Sequence, residues 1–289
     1  MKFLVLAALF ACACALPQPK RMVLPRLPAS VISKGKYQLI PSNKIVGGTE
    51  VEPNSLPFQV SLQRKGLTGV YSQSCGGSIL DENTILDAAH CVVGANINNY
   101  RVVAGEHSLS VDSGLEQNRL ITRIATHPRY NSDTYEDDIA LIFLDAPLDL
   151  SVPSAKAINL PPPTSELDPP AGIVVTCSGW GTTSSGGSIS DVLRSVDIPV
   201  VSDADCDNAY GGTAAVPSVY PSMMCAGDTT NGGIDSCQGD SGGPLFTGTG
   251  ADAVQHGIVS WGQGCALARF PGVYTQVSYF LEWIAAARG

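Results

Sequence analysis

Gly239-Asp240-Ser241-Gly242-Gly243-Pro244 sets one serine among three glycines. Such a run makes a poor helix, a poor strand and a poor core. It suits a backbone that folds tightly and brings bare N–H groups up to a reacting atom. By itself it is equally readable as an ordinary glycine-rich turn. The rest of the chain decides. A serine hydroxyl is a weak nucleophile at its free pKa, so it needs a base, and the base needs a partner that fixes its tautomer.

Two segments offer those groups. Ala88-Ala89-His90-Cys91 places a histidine behind two small residues and beside a cysteine, and Asp138-Ile139-Ala140-Leu141-Ile142 places an acid at the mouth of an apolar run that reads as a buried strand. Of the other three histidines, His107 and His127 stand in polar loop contexts and His256 precedes a strand, so surface positions are expected for all of them. The order His90, Asp138, Ser241 is one of the known chain orders for a nucleophile triad.

Elsewhere the pattern is that of an all-β chain. Phe58-Gln59-Val60-Ser61-Leu62-Gln63 alternates strictly, which predicts a half-buried strand. Thirty glycines and twenty prolines punctuate many short runs, as in β-barrels. Val277, Phe280, Leu281 and Ile284 recur at helical spacing and predict one amphipathic C-terminal helix.

Six motifs stand in order: Ile45-Val46-Gly47-Gly48, the His90 segment, the Asp138 segment, Ser178-Gly179-Trp180-Gly181, the Ser241 segment and Ser260-Trp261-Gly262. Together they resemble the trypsin-type serine proteases of the chymotrypsin fold, and most of all secreted invertebrate digestive trypsins. The resemblance runs from Ile45 to Gly289. It implies two packed six-stranded antiparallel β-barrels, at about 45–155 and 165–275, with a C-terminal α-helix and a site in the cleft between the barrels. The proline-rich stretch Pro147 to Pro170 is the expected break. By the same resemblance Ser241 is the nucleophile, His90 the base, Asp138 its partner, and the N–H groups of Gly239 and Ser241 the oxyanion hole. No cofactor is implied for catalysis.

The N-terminus fits a secreted precursor. Lys2 and the apolar stretch Phe3 to Ala15 read as a signal peptide (1–15), too short to span a bilayer. Residues 16–44 carry several prolines, no cysteine and no acid, and read as an activation pro-segment ahead of a peptidase domain at 45–289. The resemblance implies a cut after Lys44 that frees an ammonium on Ile45 to pair with Asp240. All seven basic residues of 1–44 lie outside that domain, which leaves ten basic and 26 acidic residues and a formal charge near −16. That balance argues against nucleic acid and anionic membrane surfaces, and favours cationic peptides on encounter. A soluble, extracellular monomer is expected, with protein and peptide substrates and protein protease inhibitors as partners.

Asp235-Ser236-Cys237-Gln238 begins six residues before the nucleophile. In the family this aspartate lies at the base of the primary pocket, whose walls match Ser260-Trp261-Gly262 and Pro271-Gly272-Val273. A buried carboxylate needs a cationic partner, and glycine at 262 and 272 leaves room for a long side chain. Cleavage after Arg or Lys follows as the expectation. Tyr210 also matches trypsins. Two other roles stay open on the sequence: a narrow-specificity processing protease, and an inactive homologue acting as a binding module. The second class usually loses the serine or the histidine, and both are present.

Seven of the nine cysteines follow the signal peptide, and seven cannot all pair. The family pattern implies Cys75–Cys91, Cys206–Cys225 and Cys237–Cys265, and leaves Cys177 over. The apolar run Ile173-Val174-Val175 before it predicts a buried, reduced thiol, with a disulfide-linked dimer as the other reading. Residues 105–116 resemble the calcium loop of trypsins. The resemblance gives carboxylates to Glu106 and Glu116 and backbone carbonyls to Ser108 and Val111 as ligands of a structural calcium ion, hard oxygen donors of the kind calcium takes. The family's additional acidic position reads Ser113, next to Asp112. An ordinary acidic surface loop is the other reading.

Overall fold

The computed structural model describes residues 48–163, 169–183, 186–211 and 218–289. The signal peptide, the pro-segment, Lys44 and Ile45 lie outside the described residues. Six short strands curl into a first barrel: β2 (Gln59–Lys65), β3 (Tyr71–Asp81), β4 (Thr84–Asp87), β5 (Tyr100–Ala104), β6 (Gln117–Thr126) and β7 (Ala140–Leu144). They pair in the order β2-β3-β4-β7-β6-β5, and β5 returns to β2. Six more form the second: β8 (Val174–Gly179), β9 (Arg194–Val201), β10 (Met223–Ala226), β11 (Pro244–Thr247), β12 (Val254–Trp261) and β13 (Gly272–Gln276). Their order is β9-β10-β13-β12-β11-β8, closed where β8 pairs with β9. β1 (Thr49–Glu50) adds to β9 from outside. Every ladder among these strands is antiparallel, so the fold class is the one the resemblance implies.

Each barrel has its own apolar filling. Val60, Leu62, Ile79, Ile85, Val102 and Ile142 pack the first, and Val175, Ile198, Val200, Met224, Leu245 and Tyr274 the second. A third cluster joins them. Phe58, Leu86, Ala88, Ile139 and Leu141 from the first half meet Phe246 and Ile258 from the second, with Phe58 and Phe246 edge to face at 4.9 Å. Each such buried Leu, Ile or Phe side chain stabilises by about 1.5–3 kcal/mol. Because Ala88 and Ile139 belong to this cluster, it also anchors the segments that carry His90 and Asp138.

Two expectations need correction. β2 is not half-buried: Gln59, Ser61 and Gln63 are buried along with Val60 and Leu62. The polar face meets protein groups from both barrels instead of water, and it is satisfied by them. Ser178 Oγ donates to Gln59 Oε1 at 2.7 Å, Ser61 Oγ donates to Gln73 Oε1, and Arg101 donates to Gln63 Oε1. Buried polar groups need such partners. His127 is not on the surface either. Its ring is buried edge-on against Phe280 and Trp283, with Nδ1 3.4 Å from Asp137 Oδ2.

The C-terminal segment buries Val277, Phe280 and Ile284, as its spacing predicts, but starts as a 3₁₀ turn over Val277–Phe280 before the helix Leu281–Arg288. Disulfides join Cys75 to Cys91, Cys206 to Cys225, and Cys237 to Cys265, across 16, 19 and 28 residues. Loops of that size correspond to about 3 kcal/mol each in the chain-entropy account. Cys177, opposite Leu245 on β8, is fully buried and free.

Candidate active site

Strand register brings the first two site residues together. β4 and β7 pair with Asp87 opposite Ala140, so His90, three residues beyond β4, meets Asp138, two residues before β7. Asp138 is fully buried. Its Oδ1 accepts the His90 backbone N–H at 2.8 Å, and its Oδ2 lies 2.7 Å from His90 Nδ1. Ser260 Oγ donates to the same Oδ2 at 2.6 Å. A carboxylate in that position accepts a hydrogen bond from Nδ1–H, which holds the tautomer whose Nε2 lone pair is free to act as a base.

Ser241 arrives from the other barrel on a loop pinned at several points. Gly76 N–H donates to the Ser241 carbonyl at 2.7 Å, Gly242 N–H to Val259 at 2.9 Å, and Gly243 N–H to Asp240 at 2.8 Å. The turn demands left-handed backbone at Gly239 (φ +97°) and Gly242 (φ +78°), which glycine adopts without cost from a Cβ. Among the described residues, neither the Gly239 nor the Ser241 N–H donates to a backbone carbonyl. Both donors are therefore free to meet a charge developing beside Ser241. His90 and Ser241 line one cavity of about 340 Å³. No hydrogen bond joins their side chains among the described residues, and such contacts commonly tighten only when substrate arrives.

Asp235 lies in the same cavity, nearly buried. Its oxygens accept the Ser236 N–H at 2.8 Å and the Ala266 N–H at 3.2 Å. Burial raises its pKa to about 6 against these hydrogen bonds. The walls are Ser260, Trp261, Gly262 and Gly272. A Cβ on Gly272 would stand 2.7 Å from Asp235 Oδ1, and one on Gly262 3.8 Å from Gly272 Cα, so side chains at either position would fill the slot. Tyr210 braces this wall: its hydroxyl donates to the Pro271 carbonyl at 2.6 Å and its ring meets Trp261. Asp240 is buried behind the loop, accepting the Gly181 N–H at 2.7 Å and the Cys237 N–H at 2.9 Å. Burial raises it to about 7, with hydrogen bonds pulling the other way.

Residues 45–284 match the trypsin family model. The chain belongs to the trypsin family. It is 42% identical to trypsin zeta of Drosophila melanogaster, over 86% of each chain. It is also 42% identical to trypsin-1 of Astacus astacus, over 84% of this chain and 99% of that one. Trypsin-3 of Homo sapiens is 41% identical over 84% and 72%. The chain is thus a serine protease by family, and among the described residues no helix is long and apolar enough to cross a membrane.

The loop that resembles the calcium loop of trypsins gathers Glu106, Ser108, Val111, Asp112 and Glu116 around a second cavity of about 290 Å³. Glu106 Oε1 is buried without a hydrogen-bond partner. Burial and then the Glu116 charge push Glu106 up to about 7. Burial also opposes Glu116, but the N–H and hydroxyl of Ser113 outweigh it and hold that carboxylate at about 2. An orphaned carboxylate oxygen facing a second carboxylate fits a hard divalent cation.

The sequence reading passed over two groups here. Tyr135, three residues before Asp138, packs its ring edge-on against His90 at 5.7 Å. Asp87, three residues before His90, is completely buried beside the nucleophile loop. Their proximity to His90 and Asp138 along the chain was the available signal. A polar residue at the end of a strand gives no hint that it will be buried.

Proposed function

We propose that this protein is a secreted serine endopeptidase that hydrolyses peptide bonds after Arg or Lys, made as a zymogen and activated by a cut after Lys44. The observation that carries the specificity is Asp235, a nearly buried carboxyl in the cavity that also exposes His90 and Ser241. Its pKa of about 6 means the pocket is mostly anionic above that pH, and a cation entering it opposes the shift and draws the pKa back down. A guanidinium or ammonium reaching Asp235 sets its own carbonyl beside Ser241. His90 Nε2 takes the hydroxyl proton as Oγ attacks, and Asp138 holds the resulting imidazolium. The Gly239 and Ser241 N–H groups meet the oxyanion, where losing one such donor typically costs about 3 kcal/mol. His90 then protonates the leaving amine, and water repeats the sequence to release the acyl group from Ser241. Backbone groups of Ser260 and Gly262 pair with the substrate strand.

The other assignments follow from the same reading. Asp240, buried and bonded to the Gly181 and Cys237 N–H groups among the described residues, supplies the carboxylate that the Ile45 ammonium pairs with after the cut. Glu106, Glu116 and the carbonyls of Ser108 and Val111 hold a structural calcium ion, which supplies loop rigidity and no catalytic chemistry. The digestive role and secretion rest on the resemblance to invertebrate digestive trypsins. Protein substrates and protein inhibitors occupy the same cleft, and the enzyme acts as a monomer.

Mass spectrometry of a diverse peptide library digested by the cut enzyme tests the reading. Cleavage confined to bonds after Arg and Lys, with tolerance at other positions, is expected. Cleavage after aromatic or small residues would overturn the pocket, and strict demands at several positions would overturn the digestive role.

A further inference from the structure

One carboxyl adjoins all three catalytic segments and takes no part in the steps above. Asp87 ends β4, three residues before His90, and faces Ala140 in the ladder to β7. Its side chain is completely buried. Oδ1 accepts the Ala88 N–H at 2.6 Å. The same oxygen fills the space beside Gly242, the neighbour of Ser241, and lies 2.0 Å from where a Cβ on Gly242 would stand. Oδ2 has no hydrogen-bond partner among the described residues. The titratable groups around it are few. Asp138 acts on it with like charge, and His90 turns its ring to Asp138. The nucleophile loop presents Gly242, and β7 presents Ala140.

We propose that Asp87 is a positioning residue for the triad: a neutral acid wedged between the His90 segment, Asp138 and the Ser241 loop, whose loss of a proton in alkali slows turnover. The inference rests on the triad reading above. Burial first, and the Asp138 charge in addition, hold the Asp87 pKa well above the usual carboxylate range, against the pull of the Ala88 N–H. Two carboxylates in one buried region do not ionise together readily, and of this pair Asp87 is the member that keeps its proton. While Asp87 keeps its proton, Asp138 is the lone negative charge beside His90, and Gly242 rests against an uncharged group. Once hydroxide takes that proton, a second buried anion stands beside the loop whose N–H groups must stabilise the oxyanion. That charge opposes the transition state more than the bound substrate, so kcat falls and KM does not.

The test compares kcat and KM across pH for the cut wild type, Asp87→Asn and Asp87→Ser on one Arg peptide. Asp87→Asn keeps the oxygen that accepts from Ala88 and carries no charge, so its neutral-pH kcat should stay within about threefold of wild type. In alkali the wild-type kcat should fall by about tenfold or more at constant KM, at a pH where both variants still hold their plateau. Loss of the Ile45 ammonium acts on all three proteins alike, so a limb they share belongs to that group and only the difference between wild type and variants belongs to Asp87. Superimposable alkaline kcat limbs would overturn the proposal. So would an acid limb displaced in the variants, since Asp87 would then be charged at neutral pH. Should Asp87→Asn fail to fold, Asp87→Ser and the wild-type profile still decide, because a wild-type kcat that stays flat in alkali contradicts the proposal outright. Labelling of Ser241 by phenylmethylsulfonyl fluoride separates the two failures. An unlabelled wild type sinks the triad itself, and a labelled one with unaltered profiles sinks only the role of Asp87.

Discussion

Gly272 shows how little space separates an open pocket from a closed one. A methyl there would meet Asp235 Oδ1 at 2.7 Å and the Tyr274 hydroxyl at 3.0 Å, both held in a buried network in which the hydroxyls of Ser236 and Tyr274 lie 3.1 Å apart. Neither neighbour can retreat, so a larger side chain must turn into the cavity. Gly272→Val should lower kcat/KM for Arg peptides by about a hundredfold or more, chiefly through KM, while Ser241 still reacts with a small acylating reagent. Paired kinetics and active-site titration on the variant check this. Loss of titratable Ser241 would mean that the substitution damages more than the pocket. The roles of Asp235, Gly262 and Gly272 were legible in the sequence only through the resemblance. No periodicity marks a glycine as a pocket wall, and Asp87 escaped because burial of a strand-end acid depends on the barrel that later covers it.

At the scale of the element, the 105–116 loop ties stability to pH. Glu106, raised to about 7 by burial and then by Glu116, takes up a proton on folding. Its contribution therefore turns unfavourable as pH climbs from the usual carboxylate range through about 7. Calcium binds the deprotonated form, so its affinity must rise over the same window. Differential scanning calorimetry should show a larger gain in melting temperature from calcium at about pH 8 than at about pH 5.5, and Glu106→Gln should lose most of it. An equal gain at both pH values, or in the variant, would remove Glu106 from the site. Elements with a strong period were the readable ones. The alternation at Phe58–Gln63 marked β2, and the spacing of Val277, Phe280 and Ile284 marked the C-terminal turn and helix. What alternation could not show was that the polar face of β2 is buried too, with Gln59 bonded to Ser178 of the second barrel. His127 was misplaced for the same reason: a polar local sequence says nothing about Phe280 and Trp283 arriving from the far end of the chain.

For the whole molecule, the account joins one distant cut to the site. Asp240 lies one residue from Ser241, and burial lifts it to about 7. An ammonium on Ile45 would hold it ionised and fix the loop that carries both oxyanion donors. Cleavage after Lys44 should therefore switch activity on, and N-terminal sequencing of the active form should begin Ile-Val-Gly-Gly. Activity in the uncut chain, or a different start, would contradict this. Two-barrel topology was foreseeable through the family resemblance that the ordered motifs carry, whereas the clusters that weld the barrels, such as Phe58 on Phe246, depend on contacts no local pattern encodes. The central claim is that one cavity joins a working triad to a cation-selecting carboxylate, and Asp235→Ser tests it most directly. The account predicts that this variant, once cut, loses cleavage of Arg and Lys peptides yet still hydrolyses a small activated ester through Ser241. Retained cleavage after Arg would contradict it.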